Sequence, residues 1–82
     1  ANFSVTLDVR GMRAEEAATA VIQYMDEALL LNIKEVKIIH GKGDGILRKV
    51  VRDNLRSIDE VIHIEDEHIE RGGSGATVVR LK

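Results

Sequence analysis

The sequence has no cysteine, and Phe3 and Tyr24 are its only aromatic residues. Without cysteine there are no disulfides, and no Cys/His spacing of the zinc type is present to staple the fold. So few aromatics argue against readers of single-stranded nucleic acid that stack bases on aromatic platforms. No apolar run approaches the roughly 18 residues of a membrane span, and no signal peptide is visible. No membrane partner is therefore expected, and the lack of cysteine is compatible with the cytoplasm. Stability must come from a hydrophobic core, and 82 residues that are 44% apolar suffice for one small domain. The chain begins at Ala1 rather than Met, which fits a piece of a longer protein.

A net charge of −2 excludes a chain that is basic throughout, but the charge is unevenly placed. Residues 37–56 hold six basic side chains (Lys37, Lys42, Arg48, Lys49, Arg52, Arg56) against two acidic ones, Asp44 and Asp53; residues 57–70 hold six acidic side chains and no Lys or Arg. The first segment suits a polyanion and the second repels one. Two oppositely charged solvated faces would give the same counts.

The stretch "FSVTLDV", residues 3–9, alternates and predicts a strand with Phe3, Val5, Leu7 and Val9 on one face. From residue 14 to 31, Ala17, Val21, Met25, Ala28 and Leu29 recur at helical spacing, and Glu15 and Glu16 fall in the first turn, where the helix dipole favours acids. Residues 35–40, "EVKIIH", read as a second strand buried on both faces. A second helix follows, marked by Leu47, Val50, Val51 and Leu55, with Asp44 as its expected N-cap. Residues 60–66 and 76–82 read as third and fourth strands, joined through a turn at "RGGSG".

The order β-α-β-α-β-β predicts a two-layer α/β sandwich: a four-stranded mixed sheet with both helices on one face. The first three strands run parallel, and the fourth runs antiparallel to the third. The carboxyl ends of strands one and two are then neighbours. "LDVRG" and "HGKGDG" meet at one edge, where open α/β sheets bind ligands.

The glycine loop matches neither the Walker spacing nor G-x-G-x-x-G, its glycines being Gly41, Gly43 and Gly45. Glycines ahead of a helix N-terminus still allow amides to face an anion, with Lys42 and Arg48 adding charge. A tight turn would use the same glycines. His40 ends strand two, while Asp8 and Arg10 lie at the matching end of strand one. Together with Lys42 they make a kit for phosphodiester cleavage: His40 or Asp8 as acid or base, Arg10 and Lys42 to stabilise developing charge. Asp8 reads equally as a carboxylate bracing the loop through Arg10. His63, between Ile62 and Ile64, is expected on the open side of the sheet. The "EDEH" segment, residues 65–68, reads as a solvated acidic loop or, less commonly, a divalent-metal site. Arg48, Lys49, Arg52 and Arg56 form a basic stripe suited to a nucleic-acid backbone, or a solvent-facing helix surface.

"LDVRG" and "HGKGDGILR" together resemble the Smr (small MutS-related) domain over nearly the whole chain. "GMRAEEA" and "GGSGATVV" resemble the version at the C-terminus of bacterial MutS paralogues linked to recombination suppression. The resemblance implies strand order 1-2-4-3, a bacterial cytoplasmic setting and a place in a longer MutS-like ATPase, residues 1–82 being the Smr domain. It implies an endonuclease that nicks DNA, including branched DNA, or cleaves RNA at ribosomes, or a module that binds without cutting. Mg or Mn would assist cleavage, with no tightly bound cofactor. The family's motifs fall on Leu7, Asp8, Arg10 and Gly11, and on His40, Gly41, Lys42, Gly43, Gly45, Leu47 and Arg48. Expected catalytic residues are Asp8, Arg10 and His40; expected nucleic-acid contacts are Gly41, Lys42, Gly43, Gly45 and Arg48, with Arg13, Lys49 and Arg52. Many relatives carry His where this chain has Arg10, so a mechanism using that histidine as base does not transfer.

Overall fold

The structure, a computed structural model, describes residues 2–67 and 75–82. Six elements follow the expected order: β1 (Thr6–Asp8), α1 (Ala14–Leu30), β2 (Glu35–Ile39), α2 (Ile46–Arg56), β3 (Val61–Asp66) and β4 (Ala76–Leu81). His68 and residues 71–74 of the expected turn lie outside the described residues. Among those described, no helix is long and apolar enough to cross a membrane.

The sheet order is β1-β2-β4-β3. β1 pairs parallel with β2, and β4 runs antiparallel to both β2 and β3. The first three strands therefore share a direction, and β4 is inserted between the second and third. The apolar stripe of α1 becomes its buried face: Ala17, Val21, Met25 and Ala28 are fully enclosed. They join Val36 and Ile38 of β2, Val51 and Leu55 of α2, and Val79 and Leu81 of β4 in one core. Burying this aliphatic surface is the main drive for a chain with no covalent staple.

Four local expectations are corrected. β1 begins only at Thr6, and Val5, expected inward, is 54% exposed; Phe3 instead stacks on Tyr24, with ring centroids 5.0 Å apart. β2 is not buried on both faces: Val36 and Ile38 are enclosed, while Lys37 and Ile39 are only half covered, because both helices lie on one side. The N-cap position of α2 is Gly45 rather than Asp44, because Gly45 takes a left-handed φ of 87° and delays the helix by one residue. Ile62 does not face inward. A β-bulge between Val61 and His63 lets Val61 and Ile64, three residues apart, both pack against the core. Ile62 is left 54% exposed, beside an exposed His63.

Candidate functional site

The loop after β2 turns on three left-handed glycines: Gly41, Gly43 and Gly45 have φ of 81°, 34° and 87°. A side chain would strain each of these. The first two amides of the loop are spent on structure. His40 N–H and Gly41 N–H both donate to the Gly75 carbonyl, at 3.0 and 2.9 Å, which ties the loop to the start of β4. Ile46 N–H donates to Asp44 Oδ1 at 3.1 Å. The amides of Lys42, Gly43 and Asp44, and of Leu47 and Arg48 in the first turn of α2, donate to no acceptor among the described residues. Helix-start amides are orphaned by geometry and carry the positive end of the dipole. Around them lies an open cavity of about 80 Å³, lined by residues 40–45 with Leu47 and Arg48.

Arg10 sits against this loop. A Cβ built on Gly41 would meet the Arg10 Cγ and Cδ at 3.5 and 3.6 Å, so the two motifs do share one sheet edge. Asp8 clasps Arg10 by one edge of the guanidinium: Nε donates to Oδ1 at 3.0 Å and Nη2 to Oδ2 at 2.7 Å. The Arg10 amide also donates to Oδ1 at 3.0 Å. These hydrogen bonds, the guanidinium first and the amide second, bring the Asp8 carboxyl down to about 2. The same pairing raises Arg10 above its ordinary value. A group titrating that low is a weak proton acceptor near neutral pH, since general bases work best when poised near the operating pH.

His40 is only 4% exposed, and each ring nitrogen already has a partner. Nδ1 lies 2.8 Å from the Gly41 carbonyl, which can only accept, so Nδ1 carries a proton. Nε2 lies 2.9 Å from Thr77 Oγ1 and in the neutral ring accepts from that hydroxyl. His40 therefore locks the loop to β4.

The basic stripe on α2 divides. Lys49 is exposed and pairs with Asp53 at 2.7 Å, and Arg56 reaches the same carboxylate at 3.3 Å. Arg52 turns inward, with a side chain only 13% exposed, and donates through Nη2 to Asp66 Oδ1 at 2.6 Å. Arg48 donates to the same Asp66 through Nε at 3.2 Å and Nη2 at 3.0 Å. Burial pulls Arg52 below its ordinary value and the like charge of Arg48 adds to this, against the pull of Asp66. Burial works to raise the Asp66 carboxyl, but the Arg48 hydrogen bond and the nearby cationic groups hold it low. Arg13 stands exposed at the N-cap of α1, its amide donating to Glu16 Oε1 at 3.4 Å.

The structure thus gathers Asp8, Arg10, Gly41, Lys42, Gly43, Gly45 and Arg48 around one edge. It places His40 beneath the loop and Arg52 against Asp66. Sequence reasoning missed Thr77, Gly75 and Asp66. A lone Thr in the apolar run "ATVV", buried on the core face, was a usable signal for the first.

A divalent cation is not fitted by these donors. Both oxygens of Asp8 are taken by Arg10. In the acidic segment, Asp66 is held by two arginines, Glu67 by Lys37 at 2.8 Å, and Glu65 lies 3.9 Å from His63. Among the described residues no group of three metal-ligating side chains converges.

Comparison with known proteins agrees with this fold. The Smr domain model matches residues 7–82. An "Endonuclease MutS2" of Finegoldia magna is 46% identical over 76 residues, 93% of this chain but 10% of that protein. The chain therefore spans about a tenth of the curated relatives it matches. The crystal structure of the Smr domain of Thermus thermophilus MutS2 superposes with a TM-score of 0.88 at 38% identity, covering 94% of this chain and 96% of that one. YdaL, a stand-alone small MutS-related protein from Escherichia coli, gives 0.89 at 31% identity, covering 95% of this chain and 64% of that one. Motifs, strand order and similarity over almost the full length agree: the chain belongs to the Smr domain family.

Proposed function

We propose that the chain is the nucleic-acid-engaging domain of an endonuclease, seating a backbone phosphodiester over the glycine loop and stabilising the charge that develops there on cleavage. The observation that supports this is the set of amides around the cavity with no acceptor among the described residues, with Lys42 and Arg48 at its rim. Oriented amides at a helix start bind a phosphate oxygen without reorganising, and fixed donors of that kind are most effective on charge that grows during reaction. Lys42 supplies a mobile cation, Arg48 a braced one, and Arg10 a third from β1. The exposed Lys49 and Arg13 extend the contact along the backbone, each phosphate neutralised adding to the salt dependence. The names of the relatives add the word endonuclease, and on this reading the chain nicks DNA within a longer MutS-like ATPase.

A second reading, that this domain grips DNA, structured RNA or a ribosome without cutting, is favoured by one observation. The two candidate proton acceptors are both engaged: Asp8 by Arg10, with its carboxyl at about 2, and His40 at both ring nitrogens. In either case His40 acts through the loop it holds.

The test is incubation of the chain with supercoiled plasmid DNA and with structured RNA, in Mg²⁺, Mn²⁺ or EDTA, beside Lys42→Ala/Arg48→Ala. Nicked product is expected from the parent chain. The double variant should cut and bind weakly, and lose about 2 from the slope of log affinity against log salt. Binding with no cleavage under any condition selects the second reading. No binding at low salt, or binding indifferent to both salt and the double variant, overturns both readings.

A further inference from the structure

Arg48 and Arg52 lie one turn apart on α2 and share a single carboxylate, Asp66 at the end of β3. Two guanidiniums on one carboxylate leave an excess positive charge. Arg52 is the more buried of the two, and its Nε has no acceptor among the described residues. Arg48 is the one that lines the cavity beside the amides that have no acceptor among the described residues. It meets Asp66 with the Nε and Nη2 edge only, and its Nη1 donates to no described residue. A guanidinium is a rigid planar fork, so fixing one edge fixes where the other donors point. Asp8 holds Arg10 by the same Nε and Nη2 edge on the other flank of the loop.

From this arrangement we infer that Asp66 is a positioning residue. It braces Arg48 by one guanidinium edge so that the remaining donors serve a phosphodiester on the glycine loop, and Arg52 is the counter-charge that keeps Asp66 in place rather than a phosphate ligand. The inference rests on the phosphate-binding reading above and assigns the acidic strand end a part in it. It also separates the basic stripe into one presenting arginine and one supporting arginine, which a helical projection of the sequence places side by side.

The assignment makes a prediction of unusual sign. Removing a carboxylate near a polyanion site ordinarily tightens binding, because a like-charge repulsion disappears. Here Asp66→Asn is expected to weaken binding of a fluorescein-labelled DNA duplex by roughly tenfold, the scale of one lost charge-assisted contact. The loss travels through Arg48, so in an Arg48→Ala background Asp66→Asn is expected to have no weakening effect. A general structural defect would weaken binding in both backgrounds. Melting temperatures are read alongside. Should Asp66→Asn melt below the assay temperature, Asp66→Glu takes its place in the same cycle; it keeps the charge but displaces the carboxylate, and the same loss is expected. Tighter or unchanged binding, or equal loss in both backgrounds, overturns the assignment while leaving the loop reading intact. Failure of the parent chain to bind the duplex at all overturns the loop reading and this assignment together.

Discussion

Two aspartate–arginine pairings flank the glycine loop, and they differ in how they are built. Asp8 and Arg10 are two residues apart, exposed, and matched one to one. Asp66 lies 18 and 14 residues from its two arginines and brings β3 against α2, with one of those arginines turned inward. The first is a local clasp on a turn whose backbone already places both groups close together. The second joins two elements and carries an excess of positive charge. The first pair is therefore expected to shape the site with little effect on stability, and the second to affect both.

Substituting one arginine from each pair tests that contrast most strongly. Arg52→Ala removes a hydrogen bond between charged groups and the packing of a mostly buried alkyl stem, and is expected to cost about 1–2 kcal/mol of unfolding free energy. Arg10→Ala removes an ion pair open to solvent and is expected to cost clearly less than Arg52→Ala, since exposed pairs contribute little to stability. Chemical denaturation of both variants checks this. Equal losses would erase the distinction between clasp and brace.

The same contrast explains what was legible in the sequence. "LDVRG" announced its pair because Asp8 and Arg10 are neighbours, and the parallel register of Asp8 with Ile39 brings them to "HGKGDG" as the βαβ order requires. The strand and helix assignments came from periodicity, and the buried face of α1 lies where the spacing placed it. Asp66 was not legible as a partner of Arg48 and Arg52. That contact depends on β4 being inserted between β2 and β3, which resemblance supplied and spacing did not. His40 was visible as a candidate at the end of a strand read as buried, but the partners of its ring were not. A histidine at a strand end reads as structural on its own, and the nearness of Asp8 and Arg10 made it a candidate. Its contact with Thr77, 37 positions away, is long-range and was not written in the local sequence.

Thr77 offers a smaller and more local probe, because it holds the loop from the β4 side through His40. Thr77→Val keeps shape and burial but deprives His40 Nε2 of its hydrogen-bond partner. The expected cost is about 1 kcal/mol, at the low end for a buried polar group left unsatisfied. Proton–deuteron exchange at the Gly41 amide should quicken as the loop loosens. If Thr77→Val neither destabilises the chain nor changes that exchange, the loop is held by the Gly75 carbonyl alone, and His40 is freer to act than its contacts indicate.

The smallest expected effect concerns the pH at which the exposed clasp opens. Asp8 has an ordinary carboxyl value of 3.8 when unpaired and about 2 when hydrogen-bonded to Arg10 and its amide. The folded value lies below the unfolded one, so the pairing favours the folded chain wherever the carboxyl is ionised in both states. That contribution is complete above the unfolded value and is lost as the pH falls through the folded one. The contribution is therefore constant across the neutral range and declines only between roughly pH 4 and pH 2. Carboxyl chemical shifts followed by NMR should give an Asp8 midpoint near the bottom of that window, and Arg10→Ala should move it back towards the ordinary value. An Asp8 midpoint within the neutral range would make this carboxylate a competent base after all. It would also remove the main reason for assigning it the same task, holding an arginine by one edge, that Asp66 performs on the other side of the loop.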